Sequence, residues 1–272
     1  MNDGRIVSGS DDKSIIIYNK ITYQPDLIIK EHNSWLCYII QLSSGVLASC
    51  SETIKLYKIN GNKYEVLQTL NYHKDRVSRI IELKNKTLAS CSLDSSIIFY
   101  IKDNNEYKKD YQFSTQCKCY NIIETKENEI CYSEVINNKI CFFDLLEKKI
   151  KASLANITAY SGVRFKLILI SKELLIVPEQ NKLTIVNINK YEIVRIIETP
   201  DSGWIFGICM INKNILLTGD TKKVIKQWRI EGNNLILISK KENAHSNDIN
   251  ALLNIGNGQI ASCSEDYSIK IW

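Results

Sequence analysis

This 272-residue chain has no long hydrophobic run, no sustained helical periodicity and only three histidines. Its apolar clusters, such as FKLILI at 165–170, are too short to cross a bilayer, so we expect no membrane insertion. The absence of a 3.6-residue apolar period over 12 or more residues argues against helices. The G-x-x-x-x-G-K-[ST] phosphate loop and the H-E-x-x-H zinc motif are also absent. We therefore expect no cofactor.

Concentrated positive charge is missing as well. The chain has 35 basic and 30 acidic residues, a formal net charge of +5. Its basic pairs are short and are predicted to lie in turns and hairpin tips: Lys108-Lys109, Lys148-Lys149, Lys222-Lys223 and Lys240-Lys241. Nucleic-acid binding needs a basic face interleaved with aromatic residues. We expect no specific nucleic-acid partner, while a weak RNA or phospholipid contact stays open.

What the chain does have is an internal repeat. The stretches LASCSETIKLY (47–57), LASCSLDSSIIFY (88–100) and IASCSEDYSIKIW (260–272) are close copies. Each of the three histidines lies 17 residues before the first serine of one copy. We call the position of that serine the anchor of its copy. With four weaker copies the chain contains seven copies, and their anchors are about 42 residues apart on average. The anchors are Ser8, Ser49, Ser90, Tyr132, Val177, Leu217 and Ser262.

Each copy predicts strands rather than helices. A run of apolar and small residues meets an Asp/Ser/Asn/Lys turn, and a β-branched and aromatic run follows it. Another apolar run lies upstream, as in RVSRIIEL at 76–83, and a further one downstream, as in EVLQTL at 65–70. Four short strands per copy and a period near 40 residues are typical of propeller blades. The sequence therefore predicts an all-β, seven-bladed β-propeller.

The nine cysteines do not form a disulfide or metal pattern. Cys50, Cys91 and Cys263 follow the anchor in three copies, so whole blades separate them. The one close pair, Cys117 and Cys119, has no second pair and no nearby histidine, which makes it a weak zinc signal. An odd number of cysteines at core positions is typical of reduced thiols. We expect no metal site and an intracellular, reducing, cytoplasmic location.

These residues resemble the WD-repeat β-propeller family along essentially the whole chain. The last copy carries the resemblance best, with Ala244-His245, Ser262-Cys263-Ser264, Asp266 and Ile269 to Trp272. In that family a His, a turn Asp, a strand Ser and a strand Trp form a hydrogen-bonded tetrad within one blade. The resemblance implies two such tetrads here, the first with tyrosine in place of tryptophan: His73, Ser90, Asp94 and Tyr100; and His245, Ser262, Asp266 and Trp272.

Other copies depart from the family pattern. His32, Ser49 and Tyr57 match a tetrad without its Asp, because the turn in that copy is one or two residues short. Copies four to six have no histidine and no consistent Asp, so blade boundaries between about 105 and 235 rest on periodicity. A catalytic triad normally appears once, whereas His-Asp-Ser sets recur here, so we interpret them as structural and expect no catalytic residues.

The resemblance implies a non-catalytic scaffold that binds other proteins or peptides. In the family, partners usually dock on the face that carries the loops before the innermost strands. We predict that a partner contacts residues at or near the third position after each histidine or its equivalent: Trp35, Arg76, Arg164, Trp204 and Asp248. Tryptophan and arginine are enriched at binding hot spots. Packing of Trp35 and Trp204 between blades is the alternative, and a propeller enzyme or small-ligand binder is the alternative function.

The copy length also predicts how the first and last blades are built. Seven full periods need about 296 residues, roughly 24 more than the chain has. Ile6 already belongs to a middle strand, and Trp272 ends a third strand. We therefore expect three strands in the first blade and three in the last, 26 strands in all. We also expect residues 1–272 to form one WD-repeat propeller that belongs to a longer chain or complex.

Overall fold

A computed structural model describes residues 1–134, 136–157 and 166–272. The chain divides into two compact units, residues 1–124 and 125–272, with the boundary inside one strand. The described residues contain no helix and form 26 β-strands, numbered β1 to β26 in chain order. The prediction of an all-β chain is therefore confirmed.

The first unit contains three antiparallel sheets and the start of a fourth. Hydrogen bonds join its strands in the orders β1-β2-β3, β4-β5-β6-β7 and β8-β9-β10-β11. The strands are β1 (Ile6–Gly9), β2 (Ile15–Tyr18), β3 (Pro25–Ile29), β4 (Tyr38–Gln41), β5 (Leu47–Cys50), β6 (Ile54–Asn60), β7 (Lys63–Leu70), β8 (Val77–Glu82), β9 (Leu88–Ser92), β10 (Ser96–Asp103) and β11 (Glu106–Ser114).

The second unit continues the same pattern. Its sheets have the orders β12-β13-β14-β15, β16-β17-β18-β19, β20-β21-β22-β23 and β24-β25-β26. The strands are β12 (Cys119–Lys126), β13 (Glu129–Glu134), β14 (Lys139–Asp144), β15 (Lys149–Ala155), β16 (Ile168–Leu169), β17 (Leu174–Pro178), β18 (Lys182–Asn187), β19 (Glu192–Glu198), β20 (Ile205–Asn212), β21 (Ile215–Asp220), β22 (Ile225–Glu231), β23 (Asn234–Lys241), β24 (Ile249–Gly256), β25 (Gln259–Ser264) and β26 (Ile269–Ile271).

These seven sheets are blades of a seven-bladed β-propeller, as the repeat predicted. The five middle blades have four strands each, and the first and last have three. Each strand pairs antiparallel with the next one along the chain, so every connection within a blade is a simple hairpin. The prediction of three-stranded first and last blades is confirmed.

The core of each unit lies between the faces of neighbouring sheets. In the first unit, Leu56 of the second blade packs with Ile80 and Ile98 of the third. In the second unit, Ile185 and Leu216 share another such cluster. Burying an aliphatic side chain of this size contributes about 1.5–3 kcal/mol, so contacts between sheets are a major source of stability.

One irregularity recurs in every four-stranded blade and in the first blade. The pairing of the last two strands shifts register just before one residue of the next-to-last strand, which marks a β-bulge. We call this residue the end position. In six blades the bulge identifies it, and in the last blade it is the predicted strand-end tryptophan. The end positions are Tyr18, Tyr57, Tyr100, Phe143, Val186, Trp228 and Trp272.

The bulge gives a structural test of the anchors. The residue two before each end position pairs with the anchor, as Ile98 pairs with Ser90. Six of the predicted anchors satisfy this rule. The prediction of Leu217 is wrong by one residue, because Lys226 pairs with Thr218 instead. The error arose because the sixth copy has no histidine and no Ser-x-Ser pattern that would fix its register in the sequence.

The placement of two basic pairs also needs correction. Lys108 and Lys109 lie inside β11, and Lys240 and Lys241 lie at the end of β23, rather than in turns. Both strands are the outermost of their blades. Lys222 and Lys223 do occupy a hairpin turn.

The corrected register generates a prediction in the sixth blade. The Trp228 indole N–H donates to the Thr218 hydroxyl at 2.9 Å, and both side chains are buried. Replacing Thr218 with valine keeps the shape but leaves the indole N–H unpaired. We expect Thr218→Val to lower the free energy of unfolding by about 1–3 kcal/mol, measured by urea denaturation.

A double-mutant cycle with Trp228→Phe is the control. Phenylalanine has no N–H to satisfy, so Thr218→Val should cost clearly less in that background. Equal costs in the two backgrounds would contradict the hydrogen bond as the cause.

Candidate functional site

The first predicted tetrad lies inside the third blade. His73 precedes the innermost strand, Ser90 lies on β9, and Tyr100 lies at the end position of β10. The distance from His73 Nε2 to Ser90 Oγ is 2.7 Å, and that from His73 Nδ1 to Asp94 Oδ2 is 2.9 Å. The Tyr100 hydroxyl lies 2.9 Å from the same Ser90 oxygen. The four residues therefore form one connected hydrogen-bonded set.

Ionisation within this set follows from burial and hydrogen bonding. Burial lowers the pKa of His73, against the attraction of Asp94. Burial opposes ionisation of Asp94 too, but hydrogen bonds from the Lys74 amide and the Ser96 hydroxyl outweigh it and hold the Asp94 pKa below its usual value. The Asp94 carboxylate thus stabilises the turn as a hydrogen-bond acceptor.

The second tetrad repeats these distances in the seventh blade. His245 Nε2 lies 2.7 Å from Ser262 Oγ, and His245 Nδ1 lies 2.9 Å from Asp266 Oδ2. The Trp272 indole N–H donates to Ser262 Oγ at 2.8 Å. The His–Ser and His–Asp contacts thus recur at the same distances in two blades, which is typical of a structural module.

A shorter version occurs in the second blade. His32 Nε2 lies 2.6 Å from Ser49 Oγ, and His32 is buried. The turn offers no Asp, in line with the short turn seen in the sequence. Burial and, to a smaller extent, the nearby Lys55 ammonium lower the pKa of His32 to about 4, against the opposing attraction of Glu31. His32 is therefore neutral at pH 7.

Blades four to six use buried acids in place of the second serine of the Ser-x-Ser pattern. Glu134, Glu179 and Asp220 each lie two residues after an anchor, and all three are buried. Lys139 Nζ lies 3.0 Å from Glu134, and Lys182 Nζ lies 3.2 Å from Glu179. The corrected sixth anchor, Thr218, was needed to see that Asp220 belongs to this set.

The sixth blade also buries a lysine. Lys226 Nζ donates to the Ser202 hydroxyl at 2.8 Å, and burial lowers the pKa of Lys226 against the attraction of Asp220. Burial likewise raises the pKa of Asp220, against several hydrogen bonds that it accepts. This blade thus replaces the histidine tetrad with an acid and a lysine.

Three of the five predicted partner-binding residues share one backbone position of the repeat. The carbonyls of Arg76, Trp204 and Asp248 each accept a backbone N–H from the residue three after the anchor of their blade, at 3.0, 3.1 and 3.0 Å. Trp204 and Asp248 are both partly exposed. Trp204 fits this position once the anchor is Thr218. Arg164 lies outside the described residues.

Trp35 and Arg76 are in contact in the first unit. The guanidinium carbon of Arg76 lies 4.9 Å from the centroid of the Trp35 ring, within the range of a cation–π interaction. Trp35 is 51% exposed, and Arg76 is half-buried. The alternative that Trp35 is simply packed between blades is therefore wrong. Trp204 is neither fully buried nor fully exposed.

A second arginine–aromatic pair lies beside the first, and sequence reasoning missed it. The Arg79 guanidinium lies 4.2 Å from the centroid of the Tyr38 ring, and its Nη2 donates to the Tyr38 hydroxyl at 3.0 Å. Tyr38 is 41 residues before Arg79, the spacing that also separates Trp35 from Arg76. Aligning the innermost strands of copies two and three would have revealed it.

Nothing in the described residues indicates a metal or a membrane span. Across the three described ranges, no group of three or more His, Cys, Asp or Glu side chains is placed to hold a metal ion. Those ranges also include no helix long and apolar enough to cross a membrane. All nine cysteines are free.

The blades and the tetrads together define the class: the chain is a β-propeller built from histidine-containing repeats. The family model described as WD domain, G-beta repeat, matches residues 238–272, the part that carries the complete His245 tetrad. This match and the seven blades of the structure together support a WD-repeat β-propeller family for the chain. A search of curated proteins found no match to it.

The tetrad geometry predicts a stability role for His245. Removing its imidazole leaves the buried Ser262 hydroxyl and the Asp266 carboxylate each short of a partner. We expect His245→Ala to lower the free energy of unfolding by about 1–3 kcal/mol and to lower the melting temperature. An unchanged melting temperature, measured by circular dichroism, would contradict the structural role.

His32 predicts a pH dependence of stability. Its pKa is about 4 in the folded chain, against about 6.5 when unfolded, so the unfolded chain binds more protons between these values. The contribution of neutral His32 is complete above pH 6.5 and is lost progressively as the pH falls from 6.5 towards 4. We expect it to account for a loss of about 1–2 kcal/mol between pH 7 and pH 5.

The measurement is urea denaturation at both pH values for the wild type and for His32→Gln. Glutamine keeps a hydrogen-bonding group but does not titrate in this range. The variant should lose less stability than the wild type on acidification. Identical pH dependence in the two proteins would rule out His32 as the source.

Proposed function

We propose that this chain is a non-catalytic scaffold that binds a partner protein through the Trp35–Arg76 pair. WD-repeat propellers generally bind other proteins. The observation that carries the proposal is the 51% exposure of Trp35, with the Arg76 guanidinium 4.9 Å from its ring centroid. A large exposed aromatic ring gains stability when a partner covers it, and Trp and Arg are the residues most enriched at hot spots.

The buried hydrogen bonds support a non-catalytic role. A hydrolytic serine needs a free hydroxyl facing a pocket, with a histidine ready to accept its proton. The Ser90 hydroxyl is fully buried and lies within hydrogen-bond distance of both His73 and Tyr100. The Ser262 hydroxyl accepts from Trp272 and contacts His245 in the same way. These side chains are positioned to hold strands together rather than to meet a substrate.

Trp204 and Asp248 are proposed as further contacts. They hold the same repeat position as Arg76 in their own blades, and both are partly exposed. We also propose a reducing, cytoplasmic location, which the nine free cysteines favour, because most of them are buried as small apolar side chains.

Affinity purification tests the proposal. The tagged wild type, Trp35→Ala and Arg76→Ala would each be used to capture proteins from a lysate, followed by mass spectrometry. We expect the variants to lose proteins that the wild type enriches, with an affinity loss of about 2 kcal/mol for a confirmed partner. Because Trp35 and Arg76 are at the surface, both variants should keep the wild-type melting temperature.

Tyr267→Asn provides the matched control. Tyr267 is also an exposed aromatic residue, 102% exposed in a hairpin turn, and asparagine tolerates its left-handed backbone. This variant should retain every protein that the wild type captures. If Trp35→Ala and Arg76→Ala captured the same proteins as the wild type, the proposed binding site would be wrong.

A further inference from the structure

The Trp35–Arg76 and Tyr38–Arg79 pairs form a small composite site in the first unit. The second blade supplies both aromatic rings, and the third blade supplies both guanidinium groups. The two arginines are three residues apart, at and just inside the start of β8, and the two rings have the same spacing at the start of β4. The two contacts, of 4.9 and 4.2 Å, therefore join the same two blades at positions three residues apart.

Both arginines lack an acidic partner within the described part of the chain. No carboxylate there lies within ion-pair distance of either guanidinium, and the side-chain contact of Arg76 is the Trp35 ring. The nearest acid in sequence, Asp75, accepts the backbone N–H of Arg76 rather than its side chain. The side-chain contacts of both guanidinium groups are therefore with aromatic residues.

Arg79 is the more unusual of the two. It is only 6% exposed, yet of its side-chain donors only Nη2 donates, and Nε is buried without a partner. A buried cation without a counter-charge is costly, and guanidinium groups bind carboxylate or phosphate oxygens best in a two-point arrangement. An anionic group entering this site would supply the missing charge and acceptors.

We propose that this composite site binds an acidic peptide segment of the partner, with an anionic side chain held by Arg76 and Arg79 and an adjacent apolar portion on Trp35. This inference rests on the proposed function and adds the chemistry of the ligand. The anionic group is either a carboxylate or a phosphate on the peptide, since both present the oxygen acceptors that a guanidinium group binds. A nucleic acid or a lipid surface is disfavoured, because those ligands need an extended basic face, and Asp75 interrupts the positive charge here.

The probe is a displayed library of peptides of about ten residues, selected on the purified wild-type chain. We expect the selected sequences to be enriched in Asp and Glu. The strongest binder would then be synthesised in three forms: with its acidic residue, with the matching amide, and with phosphoserine in its place. Fluorescence anisotropy should show at least tenfold weaker binding for the amide form, and the tighter of the two anionic forms identifies the source of the charge.

Variants then locate the binding on the protein. Arg76→Gln and Trp35→Ala should each weaken the acidic peptide about tenfold or more, and higher salt should weaken the wild type but affect Arg76→Gln less. Arg79→Gln should do the same if it folds, but the two surface variants suffice. Lys102→Gln is the matched control, because it removes one charge and one cation–π contact, with Tyr107, elsewhere in the same unit.

The outcomes separate this inference from the proposed function. Failure to select any peptide, equal binding of the amide form, or preference for a labelled oligouridine would overturn the acidic-peptide inference. A neutral peptide that still depends on Trp35 would overturn it while leaving the partner-binding site in place. Peptide binding that is insensitive to both Trp35→Ala and Arg76→Gln would overturn the two together.

Discussion

A single buried hydroxyl at the anchor position joins the parts of each complete blade. Ser90 lies on the second strand, yet it bonds to a histidine that precedes the first strand and to an aromatic residue that ends the third. Ser262 does the same in the seventh blade. Because an unpaired buried polar group costs more than one hydrogen bond normally contributes, the three strands must keep one relative register. The turns and the exposed positions before each innermost strand depend on that register.

The middle of the second unit meets the same requirement with different chemistry. Glu134 and Glu179 are buried beside lysines from the facing strand, and Asp220 shares its surroundings with Lys226. A buried acid needs a nearby positive charge and hydrogen-bond donors, which ties it to its hairpin. These blades therefore keep the strand arrangement without the histidine tetrad. The match to the WD repeat covers one of the two copies with a full tetrad, that of His245.

Periodicity was enough to predict the fold and the strand number, because hydrophobic alternation and repeat length reflect backbone geometry directly. Both tetrads were predicted from the resemblance to the WD-repeat family, whose motif residues recur in these copies. It placed the sixth anchor at Leu217 rather than Thr218, because a one-residue shift of a strand is invisible without a marker such as His or Ser-x-Ser. The buried acids were missed since they pair across a hairpin. Trp35 and Arg76 were found individually, but their contact, and that of Tyr38 with Arg79, required coordinates.

The two arginine–aromatic contacts each join residues 41 positions apart, so each contact has its two partners on different blades. This limits how the site could be grafted into another propeller. A graft of the third blade into another propeller would carry both guanidinium groups but neither ring, and a graft of the second blade would carry only the rings. The smallest transferable piece is the two blades together with their packing interface. The proposed specificity is thus a property of the junction between two repeats, so shuffling single repeats would remove the proposed site even where every blade still folds.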